Sequence, residues 1–223
     1  QARGSVLPFF EKRLLKHCFD TVWGKKVLSN AERVIALTRD EVSEYSEMGI
    51  PCDKVVTIPN GIDLTLYDIL PSKGVFKSKY GIPKEKKIVL FLGRIHRIKG
   101  VDLLIEAFAK ISEEMPDTTL VIVGPDEGYL QELQKRILQL NIAEKIIFTG
   151  PIYGQEKLAA YTDADVYVLP SLYESFSNTV LEAWACGTPV IVTESCAISA
   201  VAHKAGRVVK RDPDELADSI RKI

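Results

Sequence analysis

Short apolar runs alternate with amphipathic stripes along the chain from about residue 87 to the end. Each run stops at Gly, Pro or a polar turn, which predicts a buried strand. The stripe at 101–114 places Leu104, Ala107, Phe108 and Ile111 at helical spacing and predicts an amphipathic helix. The pattern predicts six strands, at 86–93, 118–124, 145–150, 165–170, 188–193 and 206–210. It predicts the remaining helices at 128–140, 156–164, 178–187 and 213–223.

Strands this apolar are buried on both faces, which is typical of a parallel sheet with helices on each side. The predicted fold class is therefore α/β, a Rossmann-like doubly wound parallel sheet. Ligands of such sheets bind at the carboxyl ends of the strands. Four polar segments follow strand ends, and they are GRIHRIKG (93–100), GPDEG (124–128), GPIYG (150–154) and PSLYESFSN (170–178).

The first part of the chain has a different organisation. Residues 1–60 contain a helix with a basic side at 11–28 and then two strand patterns separated by a helix that ends at Gly49. We interpret them as the C-terminal tail of a second, mostly missing Rossmann-like domain. Gly and Pro breaks at 61–75 predict an interdomain linker, and 76–223 form the second domain. The chain starts without an initiator Met or a signal-peptide pattern, so we expect a fragment of a longer protein.

Composition narrows the class of partner. The chain has 29 basic and 30 acidic side chains and a net charge of −1, which argues against a nucleic-acid binder. No apolar run approaches the roughly 20 residues of a membrane span. The four cysteines and three histidines show neither CxxC nor metal-ligand spacing, so we expect neither a metal site nor a disulfide. A reducing, cytoplasmic location is the expectation that follows.

The segment GRIHRIKG joins a predicted strand to a predicted helix. Gly93 lets the chain turn, and Arg94 and Lys99 lie in or beside that turn. Two cations beside a helix N-terminus can bind a diphosphate. On this stretch alone, two solvated surface charges explain the pattern equally well.

The segment SFSNT (175–179) lies between two acids, Glu174 and Glu182. Its amides and hydroxyls can bind phosphate or sugar oxygens, and the carboxylates can accept hydrogen bonds from vicinal hydroxyls. The alternative is a capping box from Thr179 to Glu182, in which Glu182 returns to the backbone. The pattern alone favours the capping box. The segment GPIYG can frame a nucleotide base, although a plain turn is the simpler interpretation.

These stretches together resemble the retaining glycosyltransferases of the GT-B fold, in the large family that includes sucrose synthase-like, mannosyl- and glucosyl-transferring enzymes (group 1 glycosyltransferases). The resemblance covers most of residues 30–223, and the most specific motif is the glutamate pair separated by seven residues and continued by EAWACGTPVI. The matching pieces, in the family's order, are VVTIPNGID, FLGRIHRIKGVDLLIEAF, LVIVGPDEG, IIFTGPI, ADVYVLPS and ESFSNTVLEAWACGTPVIVT.

The resemblance implies a role for each matching residue. Arg94 and Lys99 would bind the donor diphosphate, Glu174 would face the donor sugar, and Glu182 would bind the ribose hydroxyls. Arg94, Lys99 and Glu174 are the implied catalytic residues. The other implied donor-binding residues are Gly93, Ile152 in the loop that frames the base, and the segment Ser175, Phe176, Ser177, Asn178 and Thr179.

The implied reaction transfers a hexose-type sugar from a nucleotide-diphosphate-sugar to an acceptor hydroxyl with retention, without a cofactor and without a required metal. The acceptor is unknown and can be a saccharide or a lipid-linked sugar. The family's first domain supplies the acceptor site and a catalytic histidine, and no histidine of this chain matches it. We therefore expect this chain to be inactive alone. Peripheral membrane association of the full-length protein and a homodimer through the N-terminal segment are further expectations.

Three alternatives remain open at this stage. A nucleotide-sugar epimerase shares the fold and the base site. A non-catalytic nucleotide-sugar-binding subunit would need the same donor residues. A structural α/β module without a ligand fits least well, because polar motifs follow several strands at one edge. The stretch ESCAISAVAHKAG departs from the family's glycine-pair turn, so no residue role is assigned to it.

Overall fold

The computed structural model of the protein describes residues 18–196, 198 and 205–223. The chain divides into two compact units, Gln1–Gly61 and Ile62–Ile223. None of the helices in the described residues combines the length and the apolar character needed to cross a membrane.

The first unit contains a two-stranded parallel sheet, in which Val34 lies opposite Val55. Thr38 caps the helix between the strands by accepting a hydrogen bond from the Glu41 amide, and the Glu41 carboxylate accepts one from the Leu37 amide. The arrangement is similar to a capping box, except that Glu41 binds the amide of the residue before the N-cap, and the two hydrogen bonds fix the start of the helix. The described elements are a π-helical turn (Asp20–Gly24), α1 (Lys25–Asn30), β1 (Val34–Ala36), α2 (Arg39–Glu47) and β2 (Val55–Thr57).

The helix predicted at 11–28 differs from the structure where it can be compared. Residues 1–17 lie outside the described part. After them, the backbone forms the π-helical turn before α1, so the predicted single α-helix is not regular there.

The second unit contains all six predicted strands and the five predicted helices, each within three residues of its predicted ends. Among the described residues, a further α-helix, α3, was not predicted. The elements are α3 (Val75–Lys79), β3 (Lys87–Leu92), α4 (Val101–Ile111), β4 (Thr118–Val123), α5 (Leu130–Gln139), β5 (Ile146–Gly150), α6 (Gly154–Asp163), β6 (Val166–Leu169), α7 (Asn178–Ala185), β7 (Val190–Thr193), β8 (Gly206–Val209) and α8 (Pro213–Arg221).

The segment predicted as a linker carries structure of its own. A 3-10 turn forms at Leu64–Tyr67, and Tyr67 and Leu70 pack against the core of the second unit. Phe76 of α3 is fully buried in that core. The Asp163 carboxylate accepts hydrogen bonds from the amides of Gly74 and Lys77, so it caps α3 from the end of α6.

The six strands form one parallel sheet in the order β5-β4-β3-β6-β7-β8. Every residue of β4, β6 and β7 is buried, as expected for a sheet covered on both faces. The predicted stripe of α4 is fully buried as well. These observations confirm the α/β, Rossmann-like fold class.

The strand order reverses at the centre of the sheet. From β3 the chain moves outward to β4 and β5, then returns to place β6 on the other side of β3 and continues to β7 and β8. In open α/β sheets, ligands bind at this switch point, in the crevice outside the strand ends. The topology therefore directs attention to the loops that follow β3 and β6.

Candidate functional site

A cavity of about 260 Å³ opens at the carboxyl ends of β3 and β6, at the switch point of the sheet. It joins the turn after β3, the loop after β6 and the first turn of α7, so eight of the predicted site residues lie together. The lining residues are Leu92, Gly93, Arg94, Lys99, Leu169, Glu174, Phe176, Ser177, Asn178 and Thr179.

The turn after β3 is fixed against the loop after β6 by close backbone contact. Gly100 has a left-handed backbone with φ +67°, and a Cβ at this position would lie 2.0 Å from the Pro170 carbonyl oxygen. The Leu172 amide donates to the Ile98 carbonyl oxygen at 2.8 Å. Only glycine combines this conformation with this approach, so Gly100 holds the two loops of the site together.

Gly93 was predicted to let the chain turn, but the structure shows that glycine is required at Gly124 instead. Gly93 has no left-handed φ, and a Cβ there would meet only the Phe91 ring at 3.3 Å. A Cβ on Gly124, which has φ +145°, would lie 1.7 Å from the Gly93 carbonyl oxygen. The end of β4 must therefore be glycine so that β3 can continue into the turn.

The two cations predicted for the diphosphate are both paired with carboxylates. Arg94 Nη1 lies 2.9 Å from Glu127 Oε2, and the Arg94 side chain is 57% exposed. Lys99 Nζ pairs with Glu174 Oε2, and these side chains are only 15% and 17% exposed. Lys99 is therefore not a solvated surface charge, and the alternative interpretation is wrong for this residue.

The helix after SFSNT begins at Asn178, and its N-cap is Ser177, whose hydroxyl accepts a hydrogen bond from the Val180 amide. The capping box predicted from Thr179 to Glu182 is not formed, because the helix starts before Thr179. The Glu182 carboxylate is bound by side chains instead of by the backbone.

Hydroxyl groups form a directed chain beneath the first turn of α7. The buried Tyr167 hydroxyl must donate to the Leu92 carbonyl oxygen at 3.2 Å, because a carbonyl only accepts. Thr179 Oγ1, 2.7 Å away, then donates to Tyr167, and Ser177 Oγ, 2.8 Å from Thr179, donates to Thr179. The Ser177 and Thr179 hydroxyls thus anchor the loop to the end of β3 and hold the N-terminus of α7, a position that favours an anion, beside the cavity.

Glu182 lies on α7 outside the lining of the cavity, and side chains of α6 hold it. Lys157 Nζ donates to Glu182 Oε1 at 2.8 Å, and the Tyr161 hydroxyl donates to Oε2 at 3.1 Å. Burial raises the pKa of Tyr161 well above its ordinary value, and the nearby Tyr167 and Glu182 add to the shift. Tyr161 therefore stays protonated and acts as a hydrogen-bond donor at neutral pH.

Two further predicted donor residues do not line the cavity. Ile152 is 7% exposed and packs into the core beyond β5, and Ser175 is half-buried in the loop before α7. In the segment GPDEG, Asp126 Oδ1 accepts hydrogen bonds from the amides of Gly128, Tyr129 and Leu130, which lowers the Asp126 pKa. That carboxylate oxygen caps the start of α5.

Sequence reasoning missed the partners of the site residues: Glu127, Lys157, Tyr161 and Tyr167. Lys157 and Tyr161 are four residues apart on a predicted helix and therefore share a face. That spacing was visible in the sequence, but nothing local indicated that the face meets Glu182. Glu127 carried no signal beyond its position in the segment after a strand, and Tyr167 carried none beyond its place inside a predicted strand.

The arrangement suits an anionic ligand that also carries hydroxyl groups. Arg94, Lys99 and the N-terminal residues of α7 line one cavity, and two cations beside a helix N-terminus favour a phosphate or diphosphate. Glu174 can accept hydrogen bonds from hydroxyls at the same place. Among the described residues, no group of three or more His, Cys, Asp or Glu side chains is arranged to hold a metal ion.

Comparison with known families identifies two matching family models. Glycosyl transferases group 1 matches residues 72–223, and Glycosyltransferase Family 4 matches residues 8–66. An uncharacterized glycosyltransferase of Methanocaldococcus jannaschii is 35% identical over 200 residues, which cover 86% of this chain and 50% of that protein. A D-inositol 3-phosphate glycosyltransferase of Corynebacterium jeikeium is 30% identical over 211 residues, which cover 89% of this chain and 50% of that protein. The chain spans about half the length of the curated relatives it matches.

Solved structures share the fold. The sucrose-phosphate synthase of Thermosynechococcus elongatus is similar with a TM-score of 0.77 and 29% identity, covering all of this chain and 54% of that one. WaaG, a glycosyltransferase involved in lipopolysaccharide biosynthesis, is similar with a TM-score of 0.82 and 21% identity, covering 99% of this chain and 60% of WaaG. The Anabaena protein HepE in complex with UDP-glucose is similar with a TM-score of 0.77 and 23% identity, covering 93% of this chain and 59% of HepE. The last two identities are low, so these likenesses show the fold alone.

Proposed function

The chain belongs to the group 1 glycosyltransferases, and we propose that its second unit binds the nucleotide-diphosphate-sugar donor of such an enzyme. One observation carries the proposal: Arg94, Lys99 and Glu174 meet the first turn of α7 in one cavity at the switch point. The Anabaena HepE structures contain UDP and UDP-glucose, so these two compounds are the first candidates for the donor.

In the proposed complex, the diphosphate lies against Arg94, Lys99 and the α7 amides. Lys99 carries three donor protons, so it can contact a phosphate oxygen and Glu174 together. Arg94 turns from Glu127 toward the diphosphate at small cost, because an exposed ion pair contributes only about 0–1 kcal/mol. Glu174 accepts hydrogen bonds from the donor sugar, and Glu182 accepts them from the ribose.

The proposed reaction breaks the bond between the sugar C1 and the diphosphate oxygen and joins C1 to the oxygen of an acceptor hydroxyl with retention, and the hydroxyl proton passes to the departing diphosphate. Negative charge grows on the departing diphosphate, and preorganised cations and amides stabilise that charge as it develops. In this proposal Arg94, Lys99 and α7 supply the stabilisation without a metal. The transferred group is a hexose, and the acceptor site and turnover belong to the whole protein, whose relatives are about twice as long as this chain.

The test is a calorimetric titration of this chain with UDP, GDP and ADP and with their common sugar conjugates. We expect millimolar or tighter binding of one base. Glu182→Ala should weaken it by about 10- to 150-fold, since a hydrogen bond to a charged group contributes about 1.5–3 kcal/mol. Glu114→Ala is the matched control, because Glu114 is also a paired carboxylate but follows the far end of α4.

Equal affinities for the wild type and Glu182→Ala would contradict the assignment of Glu182 to the ribose. Absence of binding for all nucleotides would contradict donor binding by this unit alone. Incubation with UDP-glucose and analysis of the products tests the remaining part of the proposal, in which this chain alone neither transfers nor epimerises the sugar.

A further inference from the structure

The carboxylate of Glu182 is held from α6 at both of its oxygens. Lys157 binds Oε1 and Tyr161 binds Oε2, at 2.8 and 3.1 Å. We propose that Lys157 and Tyr161 are positioning residues for nucleotide binding, which orient Glu182 so that it can accept both ribose hydroxyls at once. This inference rests on the proposed function and adds two residues that the sequence did not indicate.

The hydrogen-bond capacity of the carboxylate supports this assignment. An ionised carboxylate has about four acceptor positions, two on each oxygen. Lys157 occupies one position on Oε1, and Tyr161 occupies one on Oε2. With respect to the described residues, one position therefore stays available on each oxygen, and a vicinal diol needs one acceptor for each hydroxyl. Two fixed donors also remove the rotational freedom of the carboxylate before the ribose arrives.

The electrostatic surroundings make Lys157 the important partner. The Glu182 side chain is 15% exposed and that of Lys157 is 26% exposed, so this is a partly buried ion pair. A carboxylate in such a position is costly unless it is paired. The neighbours Tyr67 and Cys186 are neutral at pH 7, because burial and the charge of Glu182 raise their pKa values to about 12 and about 11. Among the described residues, Lys157 is the cation paired with Glu182.

Helix geometry explains how α6 reaches the site. Lys157 and Tyr161 are at positions i and i+4 and therefore project from the same face of α6. Tyr161 is fully buried, and its carbonyl oxygen accepts a hydrogen bond from the Thr188 hydroxyl after α7. The tyrosine thus ties α6 to the end of α7, while Lys157 reaches Glu182 from the more open side.

The experiment compares nucleotides that differ only in the ribose hydroxyls. Wild type, Lys157→Met, Lys157→Arg and Tyr161→Phe are titrated with UDP, GDP and ADP and with the 2′,3′-dideoxy form of each. We expect Lys157→Met to weaken binding of the ribose form by about 10-fold or more, as for loss of a charged hydrogen bond. Binding of the dideoxy form should change by less than twofold. Lys157→Arg should restore most of the preference for the ribose form.

A double-mutant comparison separates positioning from a general structural effect. If Lys157 acts through Glu182, then Lys157→Met added to Glu182→Ala causes no further loss of affinity. Equal losses for the ribose and dideoxy forms would overturn the inference, and so would an unchanged preference in Lys157→Met. In both cases wild type still binds and Glu182→Ala is still weakened, so the proposed function stands. If wild type binds none of the three diphosphates, both proposals fail.

If Lys157→Met does not fold, the same comparison is made with Tyr161→Phe and Lys157→Arg. Tyr161→Phe removes one hydrogen bond and keeps the ring, and we expect it to reduce the preference for the ribose form by several-fold. A Tyr161→Phe variant with the wild-type preference would show that the tyrosine does not orient Glu182.

Discussion

Replacing Gly100 by alanine tests how the site is assembled. Gly100 connects the turn that carries Arg94 and Lys99 to α4, and its backbone lies against the Pro170 carbonyl oxygen after β6. Two consequences are expected for Gly100→Ala. The second unit loses stability, and the turn moves away from the loop that carries Glu174.

The magnitude follows from the geometry at two matched glycines. Gly81 and Gly100 have similar left-handed φ angles, +64° and +67°. This conformation costs a residue with a Cβ about 1–2 kcal/mol, so Gly81→Ala, which meets no atom within 4 Å, should cost that much. At Gly100 the added Cβ would lie 2.0 Å from a backbone oxygen. Overpacking of this kind adds about 1–3 kcal/mol, so the total is about 2–5 kcal/mol.

Urea and thermal unfolding measure the difference. For a domain of this size, each kcal/mol lowers the Tm by about 2–4 °C, and the urea m-value should stay the same. Calorimetry should also show weaker nucleotide binding by Gly100→Ala than by Gly81→Ala, because Lys99 precedes Gly100. If the two variants were equally stable, the close contact with Pro170 would not constrain the fold, and the steric argument would be refuted.

Two further predictions concern buried polar groups. Urea unfolding should show that Tyr167→Phe lowers the free energy of unfolding by about 1–3 kcal/mol, because it leaves the Leu92 carbonyl oxygen without its hydroxyl donor. The control is Tyr153→Phe, at a 75% exposed position, which should change the free energy of unfolding by less than about 0.5 kcal/mol. Equal effects would argue against the hydroxyl chain. At pH 8 an aromatic disulfide reagent should modify two of the four thiols rapidly. Cys186 and Cys196 should react only after unfolding, because burial raises their pKa values to about 11. Rapid reaction of all four thiols would disprove this protection. The fast-reacting pair is Cys18 and Cys52.

Local patterns in the sequence determined the elements of the second unit and the fold class. Apolar runs and helical stripes report burial directly, because residues i, i+3 and i+4 share a helix face and a strand in a covered sheet must be apolar on both sides. The short helix α3 was missed, since its five residues carry too little periodicity and its start depends on Asp163, 89 residues from Gly74. The capping box at Thr179 was wrong because the helix starts at Asn178, with the Ser177 hydroxyl accepting a hydrogen bond from the Val180 amide as its N-cap.

The sequence by itself therefore determined which segments follow the strand ends, and so which residues were candidates for the site. Only the tertiary structure decided which of them meet, because strand order is set by long-range packing and leaves no local period. Lys99 and Glu174 are 75 residues apart, and they pair because β6 returns to the side of β3. Lys157 and Glu182 meet because the fold brings one face of α6 within side-chain reach of α7. The type of each side chain determines the chemistry available to it, while the fold determines which partner lies close enough to orient it.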